Sequence, residues 1–170
     1  MADKSNAMTH GHALWQRVFR EVAAGFPGIT PTHYYIDALA MHLVLDPGQF
    51  QVIVTNNLFG DIVTDLGAAL QGGLGMAASG NIHPGRTSMF EPVHGSAPPL
   101  AGRNIANPIG AILSTALMLE TAGLRDEAAA IEAAVLGAVQ QSQGTPDIGG
   151  TLGTRETGDV ISRRIQPEHA

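Results

Sequence analysis

Val52-Ile-Val-Thr-Asn-Asn-Leu-Phe-Gly-Asp-Ile-Val-Thr-Asp-Leu-Gly-Ala-Ala-Leu70 changes its periodicity in the middle. Val52 to Thr55 is a β-branched run closed by Asn56-Asn57, which predicts a strand. From Leu58 to Leu70 the apolar residues recur at helical spacing, which predicts a helix. A strand running into a helix is the repeating unit of α/β proteins. The stretch before it repeats the unit. Thr30 to Ile36, with Tyr34-Tyr35, reads as a strand ending at Asp37, and Ala38 to Leu45, apolar on all sides, reads as a short buried helix stopped by Asp46-Pro47-Gly48.

On the N-terminal side, Trp15, Val18, Phe19 and Val22 share a helical face within residues 9 to 24, and Gly25 to Gly28 ends that helix. On the C-terminal side, Gln71 to Gly80 is glycine-rich, and His83 to Pro108 reads as a long loop with a weak strand near Ser88 to Glu91. Loops of that length usually bind something. Asn107-Pro108 is a good helix start for an Ala-rich helix through Ala122. Arg125 to Gln141 predicts another helix, and Thr154 to Ile165 a last one with Thr154 as its cap. The final five residues are expected to fray. Five or six helices against two firm strands describe an incomplete sheet, because an isolated pair of parallel strands is not stable. The fold class is therefore α/β, and strands from elsewhere are needed to complete it.

The composition narrows the function. Nine basic and fifteen acidic residues give a net charge of −6, with no basic run to hold nucleic acid. The absence of cysteine excludes disulfides, thiol nucleophiles and Cys-based metal sites, so any metal must sit on carboxylates, amides or histidines. The longest apolar run, Ala38 to Leu45, is too short to span a bilayer. Met1 to Asn6 shows no charged-then-apolar signal pattern, which makes the cytoplasm the expected location. Lys4 is the only lysine; the other basic residues are arginines.

Two constellations suit chemistry. Asp61 and Asp65 lie four residues apart on one helix face, an unfavourable like-charge pair unless it is solvated or neutralised by a hard divalent cation; both readings stay open. Asp37 is a candidate third ligand. Phe90-Glu-Pro-Val-His-Gly-Ser-Ala-Pro98 suits a nucleotide's phosphates and adenine, or is an ordinary proline-fixed loop. Gly73-Leu-Gly75-Met-Ala-Ala78 matches a dinucleotide fingerprint in letters, but it follows a helix rather than a strand and is set aside. His10, His12, His33 and His42 lack zinc spacing and read as surface or packed residues. Ser5, Ser79 and Ser96 sit in no nucleophile elbow.

Assembled, these stretches resemble the β-decarboxylating dehydrogenases that act on isopropylmalate, isocitrate, homoisocitrate and tartrate. The resemblance is carried by Lys4-Ser-Asn6, Tyr35-Ile-Asp-Ala-Leu-Ala-Met-His42, Val54-Thr-Asn-Asn-Leu-Phe-Gly-Asp-Ile-Val-Thr-Asp65, Gly72-Gly-Leu-Gly75, Ala78-Ser-Gly-Asn-Ile82, Met89 to Pro98 and Ala106-Asn-Pro108. It runs from Lys4 to about Ile165 and implies a partial fold of this type, lacking an N-terminal half. Residues 1–71 would belong to a dimerisation and metal-binding domain, and residues 72–170 to a cofactor-binding domain. The resemblance makes Lys4 and Asp37 catalytic, with Lys4 transferring a proton, and makes Asp37, Asp61 and Asp65 ligands of Mg²⁺ or Mn²⁺. Asn6, Asn57, Glu91, His94, Gly95, Ser96, Ala97 and Asn107 would bind NAD. Lys4 and Asp37 would serve a partner subunit's site, so the implied assembly is a homodimer with shared active sites, or this chain with a separate N-terminal half. The implied reaction oxidises a 2-hydroxy acid and releases its β-carboxylate as CO₂. The stretches most resemble the isopropylmalate-oxidising branch of leucine biosynthesis, with homoisocitrate, isocitrate and tartrate or malate as alternative substrates, and a non-catalytic dimerisation fragment as an alternative role. In the family, the other half carries the arginines that clamp substrate carboxylates and a catalytic tyrosine. Where NAD-using members have an acidic residue after Ser-Ala-Pro, this chain has Pro99, which leaves NADP open; Arg103 is the nearest cation in sequence.

Overall fold

The computed structural model describes residues 1–165; residues 166–170, where fraying was expected, lie outside the described residues. The chain divides into two compact units, Met1–Leu70 and a second beginning at Gln71. The described residues form a mixed α/β fold with six α-helices and two two-stranded sheets.

In the first unit, β1 (Ala2–Asp3) pairs in parallel with β2 (Tyr34–Tyr35). Helix α1 (Thr9–Ala23) lies between them in sequence, and α2 (Ile36–Leu45) and α3 (Asn57–Leu70) follow. Val52 to Thr55, expected to be a strand, is not one. Its one ladder bond is from the Ala2 N–H to the Val54 carbonyl at 2.9 Å. β1 is only two residues long, so its edge offers this segment no further partner. Thr30 to Ile36 contracts to Tyr34–Tyr35 for a related reason: Ile36 and Asp37 are already helical, and Asp37 gains from the positive N-terminal end of α2. Asp37 thus sits in a helix's first turn rather than at a strand's end. Asn56 caps α3 by accepting the Phe59 N–H on its side-chain oxygen at 3.1 Å.

Ala2, Leu39 and Val63 form the buried centre of this unit, with Tyr34, Ile36, Leu43, Phe50 and Ile53 packed around them. Helix α2, expected to be buried, keeps only Leu39 inside, whereas Met41, Val44 and Leu45 are 52%, 55% and 70% exposed. Leu58 and Ile62 of α3 are exposed as well. One small unit has too few elements to cover helices that are apolar all round. Each such side chain leaves about half or more of the roughly 1.5–3 kcal/mol of full burial unrealised.

The second unit holds β3 (Ala78–Asn81) antiparallel to β4 (Met89–Pro92), then α4 (Ile109–Thr121), α5 (Arg125–Gln140) and α6 (Thr154–Ile165). β4 falls one residue later than the weak strand expected at Ser88 to Glu91. β3 lies in the stretch read as glycine-rich loop, since Ala-Ser-Gly-Asn has poor strand propensity and is fixed by its partner. The set-aside fingerprint runs from Gly73 into a single 3₁₀ turn and then β3, not into a helix. Ile109, Ala134, Val135, Ala138 and Ile161 form the core. A side chain at Gly110 would meet the carbonyls of Gly75 and Ala77 at 3.1 and 3.2 Å, so α4 can lie this close to the hairpin because Gly110 has none.

Candidate functional site

In the first unit, Lys4 follows β1 directly and its Nζ lies 2.8 Å from Asp37 Oδ1, while the ammonium stands 5.9 Å from the centre of the Tyr35 ring. The hydrogen bond from Lys4 holds the Asp37 carboxyl below its ordinary range, helped by the N–H groups of the first turn of α2. Beside Lys4, Asp3 is fully buried and accepts from His33 at 2.9 Å and from the Ser5 N–H at 3.0 Å. Burial pushes its carboxyl up, and the hydrogen bonds from His33, Ser5 and Gln16 outweigh that and hold it below the usual value.

Asp61 and Asp65 stand one turn apart on α3, both exposed and neither with an ion-pair partner among the described residues. The helix therefore presents two oxygen donors of the type a hard divalent cation takes. Asp37 is not brought to them: no group of three His, Asp or Glu placed to hold a metal forms within the described residues. Asn6 and Asn57 are exposed.

In the second unit a cleft of about 750 Å³ is lined by His94, Gly95, Ser96, Ala97 and Asn107. The loop after β4 is bent back by Ala97, whose φ of 43° is left-handed, and His94 Nδ1 lies 2.9 Å from the Gly95 carbonyl oxygen. Asn107 caps α4, its side-chain oxygen accepting the Ile109 N–H at 3.0 Å while Nδ2 donates to Asp147 Oδ2 at 3.0 Å. Thr145 Oγ1 donates to the other oxygen of Asp147 at 2.5 Å. Gly75 forms part of the wall, and a Cβ there would stand 2.8 Å from Asn107 Cβ and 3.0 Å from Asp147 Oδ2.

Asn104, Asp147, Thr154 and Arg155 also line the wall and were not singled out as site residues from the sequence. Thr154, expected to cap α6, does not: its hydroxyl donates to the Ala106 carbonyl at 2.6 Å. Asn104 takes the capping role from 51 residues away, accepting the Arg155 N–H at 3.0 Å and donating to Glu156 at 2.9 Å. The Glu156 carboxyl is held below its ordinary range by its own N–H and by the Asn104 amide. A cap supplied across such a separation leaves no local signal. Glu91 is exposed on β4 and, with Pro99 and Arg103, is not part of the wall; Arg155 is the one arginine that lines it.

The sequence matches the isocitrate/isopropylmalate dehydrogenase family over residues 1–161. It is 48% identical over 167 residues to a 3-isopropylmalate dehydrogenase of Thermobifida fusca, covering 97% of this chain and 46% of that one. A Nocardia farcinica protein of the same name is 49% identical, with 97% and 48% covered. The crystal structure of an isocitrate dehydrogenase from Methylococcus capsulatus superposes with a TM-score of 0.91 at 38% identity, covering 98% of this chain and 50% of that one. A β-decarboxylating dehydrogenase from Thermococcus kodakarensis gives 0.84 at 43% identity, with 96% and 48% covered. The chain spans about half the length of the curated relatives it matches.

Proposed function

The chain belongs to the isocitrate/isopropylmalate dehydrogenase family, and on that premise we propose that it supplies part of an NAD-linked, divalent-metal-dependent enzyme that oxidatively decarboxylates a 2-hydroxy acid, 3-isopropylmalate first among the candidates. The observation that carries this reading is the cleft of about 750 Å³, where the His94–Ala97 loop and Asn107 converge. The loop's Gly95 leaves room for close backbone approach, and Ser96 and the loop amides are donors for phosphate oxygens. The cleft would hold a nicotinamide dinucleotide, which would supply the two-electron acceptor. Asp61 and Asp65 would hold Mg²⁺ or Mn²⁺, which would supply Lewis-acid polarisation of substrate oxygens. Lys4, its Nζ paired with Asp37, is the group that exchanges a proton with the substrate. Asn6 and Asn57 line the substrate and nicotinamide side. The set is completed by a second copy of this chain and by groups supplied outside these 170 residues.

The metal role is read directly by titrating Mn²⁺ into the chain. Asp61→Asn is nearly isosteric and relieves the like-charge repulsion, worth roughly 0.2–0.5 kcal/mol to a helix. It weakens Mn²⁺ binding and leaves α3 intact by circular dichroism. The same Mn²⁺ response in both proteins removes the metal assignment.

The exposed faces of α2 and α3 support the assembly. We expect a homodimer or higher oligomer in which these helices pack as a four-helix bundle about a two-fold axis. Light scattering at tens of micromolar gives at least twice the chain mass; a monomer there refutes the bundle.

A further inference from the structure

We propose that His12 is a positioning residue for Lys4, its Nδ1 fixing the backbone from which the Lys4 ammonium projects. The inference rests on the reading of Lys4 as the proton-transfer group. It starts from the fact that both backbone polar groups of Lys4 are committed. Its N–H donates to His12 Nδ1 at 2.8 Å. Its carbonyl accepts the Ala7 and Met8 N–H groups at 2.9 and 2.7 Å. On one side Asp3 is in register with Tyr35 of β2, and on the other the Ser5 N–H donates to Asp3 at 3.0 Å. Held in this way, Lys4 reaches Asp37 Oδ1 at 2.8 Å.

Of these anchors, the one on the Lys4 N–H comes from a side chain of another element. His12 sits on α1, is 7% exposed, and stands edge to face with Phe59 of α3, the ring centres 5.6 Å apart and the planes at 76°. Its own N–H donates to the Met8 carbonyl at 3.1 Å. A backbone N–H can only donate, so Nδ1 accepts with its lone pair, while Nε2 lies 3.4 Å from Asn56 Nδ2. A histidine that only packed against Phe59 would have no reason to aim a ring nitrogen at this amide. His12 links the position of α1 to the position of Lys4, and through Lys4 to the Asp37 pair.

Two substitutions separate positioning from packing. His12→Phe keeps an aromatic ring against Phe59 but leaves the Lys4 N–H without an acceptor. His12→Asn loses the ring but sets an amide oxygen where Nδ1 stands. Because Lys4 is the only lysine, labelling with [15N]lysine gives one backbone amide signal, and acylation of a lysine side chain followed by mass spectrometry reports one residue. We expect amide exchange at Lys4 to accelerate about ten-fold or more in His12→Phe, the scale of an unpaired buried donor, with faster acylation of Nζ as it leaves Asp37. In His12→Asn both rates return to within about three-fold of the parent. Unchanged Lys4 exchange in His12→Phe, or equal changes in the two variants, overturns the proposal. Neither measurement uses metal, dinucleotide or turnover. A negative result therefore leaves the dehydrogenase reading standing, and failure of the Mn²⁺ titration leaves the role of His12 standing.

Discussion

Assayed alone, the 170-residue chain will reduce no measurable NAD with 3-isopropylmalate and Mg²⁺ or Mn²⁺, and mixing it with a separately made N-terminal half of a family member will restore turnover. The rate depends on holding the reacting carbon against the nicotinamide, and such positioning is worth roughly 7–11 kcal/mol of barrier. The described residues supply pieces of that arrangement. Lys4 and Asp37 form one, the paired carboxylates of α3 a second, and the cleft around Asn107 a third. Three donors grouped for a metal are not among them. The only lysine is already paired with Asp37, which leaves a substrate's carboxylates to arginines. Family resemblance assigns those arginines to the other half. Following the absorbance of the reduced nicotinamide, with and without the complementing half, decides the matter. Turnover by the chain alone would mean that its own arginines orient the substrate and that the reading as one part of a larger site is wrong.

The same division between local and distant information governs what could be read in advance. Helices α1, α3, α4, α5 and α6 follow from apolar periodicity, and Asn107-Pro108 marks the start of α4 because an N-cap acts through bonds two or three residues away. The hairpin of β3 and β4 was half legible: Ser88 to Glu91 carries a weak strand signal, one residue before the observed β4, while Ala78 to Asn81 is a strand only because β4 pairs with it. The pairing of β1 with β2 spans more than thirty residues and uses two on each side, too few for any periodicity to register. In the site, the His94–Ala97 loop is one continuous stretch and could be recognised as such. Asn107 with Asp147, and Asn104 with Arg155, are joined across 40 and 51 residues. The aspartate of Thr145-Pro-Asp-Ile-Gly-Gly accepts a hydrogen bond from the Asn107 amide at the cleft wall.

The cleft also sets the expectation for the cofactor. In a chain completed by an N-terminal half, Pro99→Asp will raise the preference for NAD over NADP by about ten- to a hundredfold, since one hydrogen bond to a charged group is worth roughly 1.5–3 kcal/mol. Pro99 lies in the 3₁₀ turn Pro98–Leu100, between Ala97 and Leu100, both of which line the cleft. Proline there has no side-chain donor or acceptor for a ribose hydroxyl, and the turn presents no negative charge to repel a 2′-phosphate. An aspartate supplies both. The backbone tolerates the change, because position 99 is exposed and the turn's N–H bonds are donated by Leu100 and Ala101 to the carbonyls of Ala97 and Pro98. Of the arginines, Arg155 lines the cleft wall, whereas Arg103, the nearest in sequence, does not. With one guanidinium in the wall and no carboxylate on the turn, we expect the parent to discriminate against a 2′-phosphate weakly and to prefer NAD only modestly. The measurement is kcat/KM for both dinucleotides in parent and variant. A ratio that does not move means that the ribose is read by residues outside this loop, and Pro99 has no part in the choice.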